Sequence, residues 1–162
     1  MFLQRKSLSN IALVSAFVCQ IHMAEACDED YIDEMGDIIQ SQKRDPENPI
    51  SRLPTAIPLA QAILETGNGK SSAARRRNNH FGLTQKGRTI AFATTGQGVN
   101  FYLNNLSANP AYDDFRAKLA RGESRVNVLV DTLADDYAED PRYAQKLKSV
   151  IKTCQLAQRF DG

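Results

Sequence analysis

Apolar residues recur at helical spacing along most of this chain, and the places where the spacing fails divide it into elements. Tyr31, Met35, Ile38 and Ile39 follow the acidic run Asp28-Glu29-Asp30, whose charge suits a helix N-terminus, and predict a first helix. The stretch from Asp45 to Pro49 is polar with two prolines, so it reads as a connection. A second helix then opens at Pro54 or Thr55, with Pro58 tolerated in its first turn, a buried face of Ile57, Ala60, Ile63 and Leu64, and Gly67 as its left-handed end. Between Gly82 and Thr95 the period changes. Leu83 precedes a Lys86-Gly87 turn, and Ile90 and Phe92 alternate with Thr89, Ala91 and Ala93, which predicts a short hairpin. Helical spacing returns at Val99, Tyr102, Leu103 and Leu106, again at Tyr112, Phe115 and Leu119, and again at Val126, Leu129, Val130, Leu133 and Tyr137. After a break at Asp140-Pro141, which caps and starts the next helix, Tyr143, Leu147, Val150, Ile151 and Cys154 form the closing stripe. The fold class is mainly α with a minor β part: a helical domain carrying a small β-hairpin lobe after its second helix.

The first 26 residues stand apart from this pattern. Arg5 and Lys6, the apolar run Ile11 to Val18 and the small-x-small site Ala24-Glu25-Ala26 read as a secretory signal peptide, 1–26; the competing reading is a cytosolic chain with a buried N-terminal helix. The run is too short to span a bilayer. The expected arrangement is a single domain, 27–162, with a helix and connection over 27–51 and a core over 52–162, working as a monomer in the periplasm or after secretion. Removing the signal takes away two basic residues and one acidic residue, and residues 27–162 are then formally neutral, so bulk charge does not suggest a nucleic-acid partner.

Cys19 leaves with the signal, and the remaining pair, Cys27 and Cys154, reads as a disulfide between the first and last helices of an exported domain. Two free buried thiols, or a lipid on Cys27, are the other options. His80 is then the one histidine left, which removes a multi-histidine metal site, and no nucleophile-elbow pattern supports a serine triad. Neither a metal nor a cofactor is expected.

From Asn48 to Tyr112 the chain carries seven Lys or Arg and one acid, Glu65. Its position in the last turn of an apolar helix, just before Gly67, sets it against the negative end of the helix dipole. Shielding from water acts in the same direction, so Glu65 is placed to hold a proton near neutrality, as a general acid must. Lys70 is the cation that would oppose this. An exposed helix-end glutamate without a task is the plain alternative.

The residues around Glu65 carry a longer pattern. "PLAQAILETGNGKSSAARRRNNHFGL", 58 to 83, resembles the peptidoglycan N-acetylglucosaminidases of the glycoside hydrolase family that includes the flagellar cell-wall hydrolases, and most closely its Bax-like branch. That family reads roughly A-Q-A-x-x-E-S-G-W-G-x-S, then N-N-x-F-G, and near the end Y-A-x-D-P-x-Y-A-x-K-L. Here the blocks are Ala60 to Ser71, Asn78 to Gly82, and "YAEDPRYAQKL" from Tyr137 to Leu147, in the same order. The resemblance implies a lysozyme-like fold around a glycan groove, with peptidoglycan glycan strands as partner and Glu65 as catalytic acid. It implies that Tyr137 faces the cleft beside the acid. It also implies that Asn78 and Asn79 shape the groove floor, with Phe81 and Asn68 counted among the substrate-binding positions. Tyr143 reads as packing. For Asn78 and Asn79 a loop-and-cap role, and for Tyr137 a core role, stand equally open.

Two departures bear on mechanism. Asn68 stands where relatives often have Trp, so a sugar-stacking surface is missing, and residues 83–98 contain no second acid where two-carboxylate relatives have one. The remaining routes are a substrate-assisted hydrolysis, a lytic transglycosylase-like closure of an anhydro sugar by Glu65 alone, or help from Asp113 or Asp114. A domain that binds wall glycan without cutting it is the alternative from another class.

Overall fold

The computed structural model describes residues 27–162; the signal peptide expected over 1–26, with Cys19 and His22, lies outside them. Helix α1 (Glu29–Gln42) is capped by Asp28, whose carboxylate accepts from Tyr31 N at 3.2 Å, and buries Ile32, Met35 and Ile39. A 3-10 turn over Pro49–Arg52, capped by Asn48, leads into α2 (Ala56–Thr66). This helix is apolar almost all round and is buried along nearly its whole length, which makes it the central rod against which α1 and the C-terminal helices pack. Pro58 falls in its first turn and Gly67 ends it at φ 58°, as the sequence indicates.

Helix α3 (Ser72–Arg77), which the hydrophobic pattern does not reveal, is capped by Ser71 and stopped by Asn78 at φ 49°. Strands β1 (Thr84–Gln85) and β2 (Arg88–Thr89) pair antiparallel around the turn at Lys86 and Gly87, and Ile90 and Phe92 lie beyond the ladder. Then follow α4 (Thr95–Ala108), α5 (Asp113–Ala120), α6 (Val126–Tyr137), α7 (Tyr143–Thr153) and α8 (Leu156–Phe160). Asp140-Pro141 does not cap or start α7, whose N-cap is Arg142 without a side-chain cap; Asp140 instead shapes the turn before it, its carboxylate accepting from Arg142 N at 2.9 Å and its carbonyl from Tyr143 N at 2.9 Å. Gln155, at φ 51°, separates α8 from α7.

The two ends of the described chain are tied to each other and to the first two helices. Cys27 and Cys154 form a disulfide with Cα atoms 5.5 Å apart. Asp161 accepts from Thr55 N at 2.6 Å and from Ala56 N at 3.0 Å, occupying donors that the start of a helix leaves open. Phe160 covers Gly36 of α1 so closely that a Cβ there would lie 2.4 Å from the ring. No helix among the described residues is long and apolar enough to cross a membrane.

Candidate active site

Glu65 is the penultimate residue of α2 and is partly buried where that helix meets α7 and the turn following α3. Tyr143 of α7 donates its hydroxyl to Glu65 Oε1 at 3.1 Å. Gly82, at φ 62°, brings bare backbone to the other oxygen; a Cβ on it would lie 3.4 Å from Glu65 Oε2. Any side chain there would narrow the space above Oε2 and strain a backbone conformation that glycine adopts freely.

Burial lifts the Glu65 carboxyl from its ordinary 4.5 to about 7, against the opposing pull of the Tyr143 hydrogen bond and of the Lys146 ammonium. Lys146 sits on α7 and is held by Asp140 at 2.5 Å. Lys70, the cation expected to oppose protonation, instead faces Asp28 at 3.9 Å on the surface. The groups that govern Glu65 are therefore burial, a tyrosine and a lysine. Asp113 is exposed and pairs with Arg116 on α5, and Asp114 beside it is exposed.

Behind Tyr143 lies a buried polar chain. Tyr102 of α4 donates to Gln61 Oε1, and Gln61 Nε2 donates to Tyr143 Oη at 3.2 Å. Gln61 has no exposed surface, and burial pushes the Tyr102, Tyr137 and Tyr143 hydroxyls well above the ordinary phenol value, so all three keep their protons. The rings pack as one block, with Tyr137 stacked on Tyr143 at 5.4 Å and Phe81 on Tyr102 at 3.9 Å between centroids.

Several expected roles change in this arrangement. Tyr137 does not bond the acid: its hydroxyl donates to Phe81 O at 3.1 Å and steadies the backbone just before Gly82, while Tyr143, read as packing, takes the place at Glu65. Asn79 is fully buried; it donates to Leu83 O at 2.8 Å and Ile90 O at 2.9 Å and accepts from Leu83 N at 3.0 Å, so it ties the hairpin lobe together and has no surface to offer a sugar. Phe81, 1% exposed, is core for the same reason. Asn78 is half-buried and donates to Phe92 O at 3.0 Å.

Asn68 is buried and lines a different hollow, of about 210 Å³, with Tyr31, Arg75, Asn78, His80 and Thr95; Glu65 is not among its lining residues. The Trp-to-Asn departure therefore falls in this hollow and not on the wall beside the acid. His80 in the same place has its Nδ1 2.9 Å from the Tyr31 hydroxyl, and burial lowers its pKa to about 4, so it is neutral at ordinary pH. The sequence alone does not mark Gln61, Tyr102, Gly82 and Lys146 as neighbours of the acid. Two had a signal: Gln61 precedes Glu65 by four residues, and Lys146 follows Tyr143 by three, so each pair shares a helix face.

With this geometry in place, the relatives of the chain are informative. Residues 47–156 match the glucosaminidase family, described as mannosyl-glycoprotein endo-beta-N-acetylglucosaminidase. The Escherichia coli protein bax is 34% identical over 80 residues, covering 43% of this chain and 29% of that protein. An N-acetylmuramoyl-L-alanine amidase domain-containing protein of Staphylococcus aureus is 31% identical over 131 residues, covering 65% of this chain and 21% of the relative. The chain thus spans less than a third of either. Among solved structures, the catalytic domain of the autolysin Auto from Listeria monocytogenes superposes with a TM-score of 0.66 at 18% identity, over 88% of this chain and 91% of that one. A Staphylococcus aureus N-acetylmuramoyl-L-alanine amidase gives 0.66 at 19% identity, over 94% of this chain and 49% of the other. These superpositions show the mainly α, lysozyme-like fold expected from the sequence.

Proposed function

The chain belongs to the glucosaminidase family and is a glycoside hydrolase by that membership, and we propose that it cuts a β-1,4 bond of peptidoglycan glycan strands with Glu65 as the general acid. The observation that carries this reading is the shielded carboxyl itself, bonded through Oε1 to Tyr143 and faced at Oε2 by the bare backbone of Gly82, with burial lifting it to about 7. A group with that pKa holds its proton near neutrality and still releases it readily. The names of the relatives, an autolysin and N-acetylmuramoyl-L-alanine amidases, support a wall substrate and a place of action outside the cytoplasm, periplasmic or secreted.

The proton on Glu65 passes to the glycosidic oxygen as the bond to the anomeric carbon breaks, and the departing sugar leaves with a hydroxyl. Residues 83–98 supply no second carboxylate, so the positive charge left at the anomeric carbon is met by the substrate. Either its N-acetyl carbonyl closes on that carbon and water later opens the ring, or Glu65, now ionised, removes a proton from a sugar hydroxyl that closes an anhydro bridge. Both routes need one carboxylate.

A zymogram on purified peptidoglycan separates these outcomes. A cleared band from the wild type that disappears in Glu65→Gln is the expected result, and mass spectrometry of the fragments then distinguishes a reducing-end sugar from an anhydro end. Glycan retention without clearing by the wild type would overturn the enzyme reading.

A further inference from the structure

In the structure the hydrogens of the chain Tyr102, Gln61, Tyr143, Glu65 all run in one sense, toward the acid. Tyr102 is a buried phenol that donates to Gln61 Oε1, which fixes the Gln61 amide with its nitrogen toward Tyr143. The Tyr143 oxygen is then occupied as an acceptor, and its own hydrogen points at Glu65 Oε1. An oxygen already accepting at that distance is the poorer place for the acid proton, and Oε2, against Gly82, is the remaining one.

We propose that Gln61 is a positioning residue for the reaction: by polarising Tyr143 it keeps the transferable proton on Glu65 Oε2, the oxygen beside Gly82, instead of letting it settle on Oε1 toward Tyr143. This rests on Glu65 being the proton donor. Without the Gln61 amide, Tyr143 is free to turn its hydrogen away and accept from a protonated Oε1. The neutral acid then gains a hydrogen bond, so it binds its proton more tightly, but the proton points into the protein. Replacing Gln61 therefore makes the acid more protonated at neutral pH and yet slower. A purely structural defect has no reason to produce that pairing.

The groups facing Glu65 from each element around it are Tyr143 and Lys146 on α7, Tyr102 on α4 and Tyr137 on α6, while Gly82 brings none from the turn. Burial raises all three tyrosine hydroxyls, so they keep their protons, and the inflection near neutrality is assigned to Glu65 by its absence in Glu65→Gln.

The test compares wild type with Gln61→Met, Gln61→Glu and Tyr102→Phe, using kcat and KM on peptidoglycan fragments across pH and a 13C titration of the Glu65 carboxyl. Gln61→Met is expected to lower kcat about tenfold with KM little changed and to move the carboxyl midpoint upward. Gln61→Glu, neutral when buried at pH 6, again accepts from Tyr102 and donates to Tyr143, and is expected to recover kcat to within about threefold there. Tyr102→Phe, which releases the amide to flip, shifts the midpoint in the same direction as Gln61→Met and covers the case in which that variant does not fold. An unmoved carboxyl midpoint in both Gln61→Met and Tyr102→Phe, or equal impairment of Gln61→Glu and Gln61→Met, would overturn the proposal. The titration needs no substrate, so it decides the role of Gln61 even if the wild type fails to cut glycan.

Discussion

At the scale of the residue, the account turns on what burial does to one carboxyl. Glu65 titrates near 4.5 in an unfolded chain and at about 7 in the folded one, so between those values the folded state holds more protons than the unfolded. Stability therefore falls as pH rises through that window and levels off above it; below pH 4.5 the penalty is absent. Glu65→Gln keeps an acceptor for Tyr143 and removes the charge. It is expected to raise Tm by several degrees at pH 8, corresponding to at most about 3 kcal/mol, and to change it little at pH 4, as thermal melts at the two pH values would show. An equal gain at both would mean the carboxylate is not strained. The acid was legible in sequence because no other carboxylate lies near it in the chain. Tyr143 was not, because a tyrosine on an apolar stripe reads the same whether its hydroxyl is idle or bonded, and only the packing of α7 on α2 distinguishes it from Tyr137.

At the scale of elements, periodicity located the long helices and the Lys86-Gly87 turn, since each buries one face and the period records it. It missed α3 and α8, which are six and five residues long, too short for a stripe to repeat. It also overextended the hairpin: Ile90 and Phe92 are secured outside the ladder, where Ile90 N donates to Leu83 O at 3.0 Å and Phe92 N to Arg77 O at 2.8 Å. The turn that carries Asn78 to Gly82 is wedged against α4 at Gly98, where a Cβ would lie 2.4 Å from Asn78 O. That neighbour is backbone and cannot step aside. Gly98→Ala is accordingly expected to cost about 2 kcal/mol or more in a denaturant melt, whereas a neutral outcome would show that turn and helix are not in register.

At the scale of the molecule, the groups around Glu65 come from α2, α4, α6, α7 and the turn before β1, and no linear spacing announces that they meet. The family pattern located the blocks but not the bonds between them. The packing of α2 against α7 and α6 brings them together, the Cys27–Cys154 bridge, with a sequence separation of 127, restrains the unfolded chain by about 4–5 kcal/mol, and Asp161 caps α2 at its start. Glu65 therefore owes its proton affinity to the assembled domain that buries it. The most direct measurement is a 13C titration of that carboxyl in the intact protein, assigned against Glu65→Gln. The account predicts a midpoint near 7; a midpoint at or below the ordinary 4.5 would contradict it.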